Sequence, residues 1–250
     1  MSLYFSVDEQ KLTKKEKKEL RRLEWQEKAK NEAKNAKLKK FSLWGGVALI
    51  FLIVIGVLVY TVSSPSSSTP NITIAPVASR DISTGSPKAK VTLIEYADFQ
   101  CPACAAYHPL VDQLLSAYKD KLFYVYRMFP LEQEHQNALV SAEAAYAAYK
   151  QGAFFAYDGL LFSKQNDWAT LADPRTVFTG YAQSLKLNVD QFNTDMNSQD
   201  TQNYVKASEN EASNEGINQT PSFFINGKMI QNPNTYADFQ KLIDAVLGTK

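Results

Sequence analysis

From Lys90 onward the chain alternates between short β-rich runs and stretches whose apolar residues recur at helical spacing. Val91-Thr92-Leu93-Ile94-Glu95-Tyr96-Ala97 is apolar on both faces, the pattern of a central strand. A helix is predicted from Cys101 to about Tyr118, and Leu122 to Phe129 reads as a second strand ended by Pro130. Leu139, Ala142, Tyr146 and Tyr149 repeat at helical spacing, as do Val177, Phe178, Tyr181 and Leu185. Asp173-Pro174 has the form of an N-cap followed by proline at the first helical position. Ser222-Phe223-Phe224-Ile225 and Lys228-Met229-Ile230 flank Asn226-Gly227, a strong hairpin signal. A last helix, about Tyr236 to Leu247, should bury Phe239, Leu242, Ile243 and Val246. The order is strand–helix–strand, a helical insertion at about 132–215, then hairpin–helix. It predicts one α/β domain over residues 85–250, large enough for a core of its own.

The residues before this domain follow a different pattern. Leu43 to Val62 runs twenty positions without a charge, which as a helix spans about 30 Å, the thickness of a bilayer's hydrocarbon core. Trp44 and Tyr60 stand near its ends, where amphipathic rings favour the lipid–water boundary. Residues 41–62 are therefore read as a single transmembrane anchor helix. A cleaved signal peptide is the rival, but its charged region is short and its apolar core only about 7–15 residues. Ser63 to Pro70 has the composition of a linker, and residues 63–84 are assigned to it.

Charge sharpens the division. The net charge of the whole chain is +1, yet residues 1–40 hold 13 Lys/Arg against 7 Asp/Glu, and the rest holds 14 against 19. A basic tail before an apolar span places the N-terminus in the cytoplasm and the C-terminal domain outside it, with a cell-membrane location. The tail itself reads as solvated, with anionic lipid headgroups as its sharper alternative.

The chain has two cysteines, Cys101 and Cys104, in Cys101-Pro102-Ala103-Cys104. A disulfide stabilises a fold by closing a large loop, and two intervening residues close almost none. A zinc site lacks its second pair of ligands, since His108 and His135 are not at the usual close spacing, and no metal is expected. Redox chemistry suits the position. The pair follows a strand and opens a helix, so free amide N–H groups and the positive end of the helix dipole face Cys101. They favour a thiolate there and lower its pKa, with the helix N-terminus expected to supply most of the effect. Cys104, one turn on, is the more buried, resolving thiol.

Three separated motifs then resemble the DsbA-like branch of the thioredoxin superfamily: Phe99-Gln100-Cys101-Pro102-Ala103-Cys104, Tyr126-Arg127-Met128-Phe129-Pro130-Leu131 with His135, and Gly216 through Gly227 with Thr220-Pro221 at its centre. The resemblance covers roughly residues 85–248. It implies a thioredoxin-like fold with an inserted helical subdomain, acting on thiols of unfolded or newly exported proteins. It also implies reoxidation by a membrane quinone-dependent partner. The working group would be the Cys101–Cys104 disulfide, with no cofactor and no nucleic acid. The departure is Ala103, where the best-known oxidase of the family carries a histidine that helps hold the thiolate.

The resemblance adds a buried acid at Glu95, six residues before Cys101, and the alternation of the strand agrees. Glu95 shares its face with Val91, Leu93 and Ala97, so burial should raise its pKa and fit it to exchange a proton with Cys104. The resemblance also implies a cis Pro221 set against the cysteines. That exposes the backbone of Thr220 to an extended substrate, with Pro102 and Ala103 alongside. His108, just before a Pro109 that should kink the helix, and His135 are read as structural. Phe154, Phe155, Tyr157, Phe162 and Trp168 are read mostly as core. An oxidase of exported proteins is favoured. A reductase or isomerase is the alternative in the same chemistry, and a redox-independent peptide-binding chaperone module is the alternative outside it.

Overall fold

The structure, a computed structural model, describes residues 72–248 continuously and a few residues among 18–34 and 53–55. The chain divides into two compact units, Met1–Ser66 and Ser67–Lys250. The described residues of the first unit are helical and exposed. Most of the basic tail, the apolar span and the Ser/Pro-rich stretch lie outside the described residues. Among the described residues no helix is long and apolar enough to cross a membrane.

In the second unit β1 (Ile82–Gly85) and β2 (Val91–Ala97) lead into helix α1 (Pro102–Tyr118), and a short 3-10 turn brings the chain to β3 (Leu122–Met128). Six helices follow: α2 (Ala138–Lys150), α3 (Phe154–Ser163), α4 (Gln165–Trp168), α5 (Arg175–Ser184), α6 (Val189–Met196) and α7 (Gln199–Asn214). The hairpin β4 (Ser222–Ile225) and β5 (Lys228–Met229) and the helix α8 (Tyr236–Leu247) close the domain. The sheet order is β1-β3-β2-β4-β5, with β2 parallel to β3 and antiparallel to β4.

β2 is central, as its two apolar faces demand. Val91, Leu93 and Ala97 pack with Leu122, Tyr124, Tyr126 and Met128 toward α1 and the helical insertion. Ile94 and Tyr96 pack with Val125, Phe129, Phe224, Ala212 and Ile217 on the opposite face. Asn226 and Gly227 both take positive φ (48° and 78°), the geometry that a two-residue hairpin turn requires. Phe223 on β4 meets Phe239 on α8 edge to face at 5.1 Å, a pairing worth about 0.5–1.5 kcal/mol beyond its buried area.

Three details differ from the sequence reading. The sheet takes in Ile82–Thr84, which the sequence assigns to the linker; Ile82 pairs with Tyr126 and is buried. Pro174, rather than Asp173, is the N-cap of α5, while Asp173 accepts a hydrogen bond from the Arg175 amide. On α8 only Phe239 and Ile243 are buried; Leu242 and Val246 are exposed, because one helix face alone meets the sheet.

Candidate redox site

Cys101 is the N-cap of α1, and Pro102 occupies the first helical position, where its missing N–H costs no hydrogen bond. The strand delivers the pair to this point. β2 ends at Ala97, Asp98 accepts a hydrogen bond from the Gln100 amide, and the Cys101 amide closes the turn on the Asp98 carbonyl. Asp98 also accepts from the Leu131 amide and contacts His135 Nδ1 at 2.7 Å. His135 is thus structural, bracing the turn that carries the cysteines. Helix α1 continues through Pro109 to Tyr118.

The two cysteines are buried, Cys104 completely and Cys101 nearly so, whereas Pro102 and Ala103 are exposed. Cys101 Sγ lies 3.4 Å from the carbonyl oxygen of Thr220, and the Thr220–Pro221 bond is cis. The pair and the start of β4 therefore meet, as the resemblance implied. The Thr220 hydroxyl is buried without a hydrogen-bond partner.

The Cys101 thiol is pulled down to about 5. The largest cause is a hydrogen bond from the Cys104 thiol; burial opposes it, and the Thr220 hydroxyl and the amides of Cys104 and Ala103 add to it. The helix N-terminus contributes, but it does not dominate as the sequence suggested. Cys104 moves the opposite way, well above the usual thiol range, because it is buried and faces the Cys101 charge.

Glu95 is buried among apolar neighbours, as the alternation of β2 requires, and its pKa rises to about 7. Burial is the main cause. The hydroxyl of Tyr124 donates to its Oε2 and partly offsets the rise, and Cys101 adds to it. Charge on Glu95 is felt in turn at Cys104.

A polar frame not legible in sequence ties the site to the helical insertion. Gln165 donates to the carbonyls of Phe99 and Cys101, and Gln100 donates to that of Ala169. Asn137 spans the same gap, its amide donating to Gln100 Oε1 and its side chain to the carbonyls of Trp168, Ala169 and Leu171. Phe154, Tyr157, Phe162 and Trp168 are core, as expected, and Phe155 is half-buried. Among the described residues no cluster suits a metal ion.

The family model described as Thioredoxin matches residues 78–245. The chain belongs to the thioredoxin family, in its DsbA-like branch. It is similar to the crystal structure of Wolbachia pipientis alpha-DsbA1 at 27% identity and a TM-score of 0.62, covering 69% of this chain and 93% of that one. The oxidised BdbD of Bacillus subtilis shares the fold, with a TM-score of 0.64 at 18% identity over 71% of this chain and 98% of that one. A curated relative, Na(+)/H(+) antiporter NhaA 1 of Mycobacterium sp. (strain KMS), is 32% identical over 170 residues, 66% of this chain. That match spans only 27% of the antiporter's own length.

Proposed function

We propose that the protein is a disulfide-forming oxidase of exported proteins, held at the membrane by residues 41–62 with its redox domain outside the cytoplasm. The observation that carries the reading is the seat of Cys101 at the N-cap of α1 with its Sγ 3.4 Å from the Thr220 carbonyl oxygen; there the Cys104 thiol, the Thr220 hydroxyl and the amides of Cys104 and Ala103 pull its pKa down to about 5. Each stabilises the Cys101 thiolate and hence the reduced protein. A disulfide whose reduced form is stabilised is a strong oxidant and readily accepts electrons from substrate thiols. Extended chains of unfolded protein would pair along the Thr220 backbone beside exposed Pro102 and Ala103. A membrane quinone-dependent enzyme would restore the disulfide. The twenty uncharged residues 43–62 and the basic tail before them support the anchor and its orientation.

The deciding measurement is the reduction potential of the full-length protein, equilibrated with glutathione buffers. A potential near that of strong oxidants, about −120 mV, is expected; one near thioredoxin's, about −270 mV, would make the protein a reductase. Protease added outside intact cells should remove the redox domain and spare the tail, and full protection would reverse the proposed orientation.

A further inference from the structure

Beside the redox site lies a cavity of about 330 Å³, bounded by α1, α3 and the strand ends. Neither cysteine lines it. His108 and Asp112 of α1, Asp158 of α3, Tyr124 of β3 and, after α1, Lys119 and Asp120 do. Asp112, Lys119 and Asp120 form its exposed rim, while Asp158 is buried in its wall. Oδ1 of Asp158 has no hydrogen-bond partner. Oδ2 lies 3.7 Å from His108 Nδ1, and the other ring nitrogen, Nε2, lies 3.4 Å from Asp112 at the rim. At the inner end Tyr124 donates to Glu95. A buried acid with an empty acceptor, an imidazole bridging it to an exposed carboxylate, and a hydroxyl touching Glu95 thus share one space, with room for water among them.

We propose that this cavity is the proton port of the redox site, along which protons pass between solvent and Glu95 by way of Asp112, His108, Asp158 and Tyr124. The inference rests on the exchange at Cys101 and Cys104 described above. In that exchange a substrate thiolate attacks Cys101 Sγ, the Cys101–Cys104 bond breaks, and Cys104 leaves with the electron pair. Cys104 holds its proton firmly, so its sulfur takes one up, and Glu95 is the nearby acid that supplies it. The substrate's second thiolate then attacks its own sulfur in the mixed disulfide, and Cys101 leaves as a thiolate that needs no proton. The substrate loses two electrons, the protein gains them, and one proton has been drawn from Glu95. That proton must be replaced from bulk water, but Glu95 is enclosed by apolar side chains.

The cavity residues are in the right protonation states for the transfer. Burial holds His108 neutral at neutral pH, against the pull of Asp112, so one ring nitrogen can accept while the other donates. Burial raises the Asp158 pKa well above the usual carboxylate range and so favours its protonated form, with Glu95 and Asp112 adding to the effect. Tyr124 stays a phenol, since burial and the charge of Glu95 both oppose its ionisation. His108 and Asp158 act through Glu95 and touch neither sulfur, which makes them positioning residues of a relay.

The test is single-turnover reduction of the full-length protein by dithiothreitol at low buffer concentration, followed by acid quench and thiol counting. His108→Ala should slow the reaction about tenfold or more, the scale of a lost general acid–base step. Added imidazole should restore the rate in the variant and leave the wild type unmoved. Asp158→Asn should slow it similarly, and the double variant no further, because both lie on one path. A wild-type rate in His108→Ala overturns the relay. So does a slow rate that imidazole fails to rescue, because that reports packing alone; Asp158→Asn at the wild-type rate would do the same for that residue's part in the path. If instead the wild type itself shows no thiol exchange, the oxidoreductase reading fails, and the relay falls with it.

Discussion

The sulfur of Cys101 and the carbonyl oxygen of Thr220 stand 3.4 Å apart although 119 residues separate them in the chain. As a thiol, Cys101 donates to that carbonyl. The neighbouring Thr220 hydroxyl is buried with no hydrogen-bond partner and pulls the Cys101 pKa down, so it is the group poised to hold the charge once the proton has left.

Thr220→Val removes that hydroxyl while keeping the side chain's shape. The Cys101 pKa should rise, and the disulfide should become less oxidising. A hydrogen bond to a charged group contributes about 1.5–3 kcal/mol, equivalent to roughly 30–60 mV for this two-electron couple. Thiolate absorbance titration and a glutathione redox titration measure both. An unchanged Cys101 pKa in this variant would remove Thr220 from the set of donors.

Cys104→Ala should raise the Cys101 pKa further than Thr220→Val does, because the Cys104 thiol is the largest contributor to its depression. The remaining Cys101 thiolate should still attack partner disulfides, and without Cys104 nothing within the protein can release them. Mixed disulfides should then accumulate on non-reducing gels. If Cys101→Ala traps partners instead, the roles of the two cysteines are exchanged.

Ala103 is exposed beside Cys101, so Ala103→His adds a fifth donor without disturbing the core. The expected outcome is a lower Cys101 pKa and a higher potential. About 30 mV corresponds to 1.4 kcal/mol, which a redox titration resolves. A potential that stays the same or falls would mean that the existing donors already saturate the thiolate.

Glu95→Gln changes how stability depends on pH. The Glu95 pKa is raised from 4.5 to about 7 on folding, so between these values the native state binds the proton more tightly than the unfolded chain. Stability from this group is complete below pH 4.5 and is lost as pH climbs through 7. The variant should flatten this decline. Relative to wild type it should gain up to about 3 kcal/mol above pH 7, at 1.36 kcal/mol per pKa unit. Urea midpoints of the reduced proteins across this range provide the check. A variant curve parallel to wild type would place Glu95 outside the titrating groups.

How far the sequence carried depended on whether a feature was local. β2, α1, the Asn226-Gly227 hairpin, the limits of α8 and the burial of Glu95 were all legible, because a repeat of two or of 3.6 residues records which face is covered. β1 was not. It has four residues, Ile82-Ser83-Thr84-Gly85, one of them buried, and the strand it pairs with begins 37 positions after Gly85, at Leu122. The donors that set Cys101 were legible only where they belong to its own helix. The Thr220 hydroxyl and the ordering of Cys104 ahead of the helix amides are products of three-dimensional closure. Asp158 illustrates the same limit, as an acid whose burial follows only from the laying of α3 against His108.

The complete burial of Cys104 governs how long a captured substrate stays attached. Once a chain is joined to Cys101, it can leave in two ways: back, when Cys104 attacks the bond from within, or onward, when the substrate's second cysteine attacks from outside. Attack requires a thiolate, and Cys104 is held as a thiol far above neutral pH, whereas an exposed substrate cysteine ionises at its ordinary value. The backward exit is therefore slow and the forward exit is open. The residue that surrenders the disulfide thus acts afterwards as a latch, giving a flexible chain time to bring its second cysteine into place before the encounter is undone.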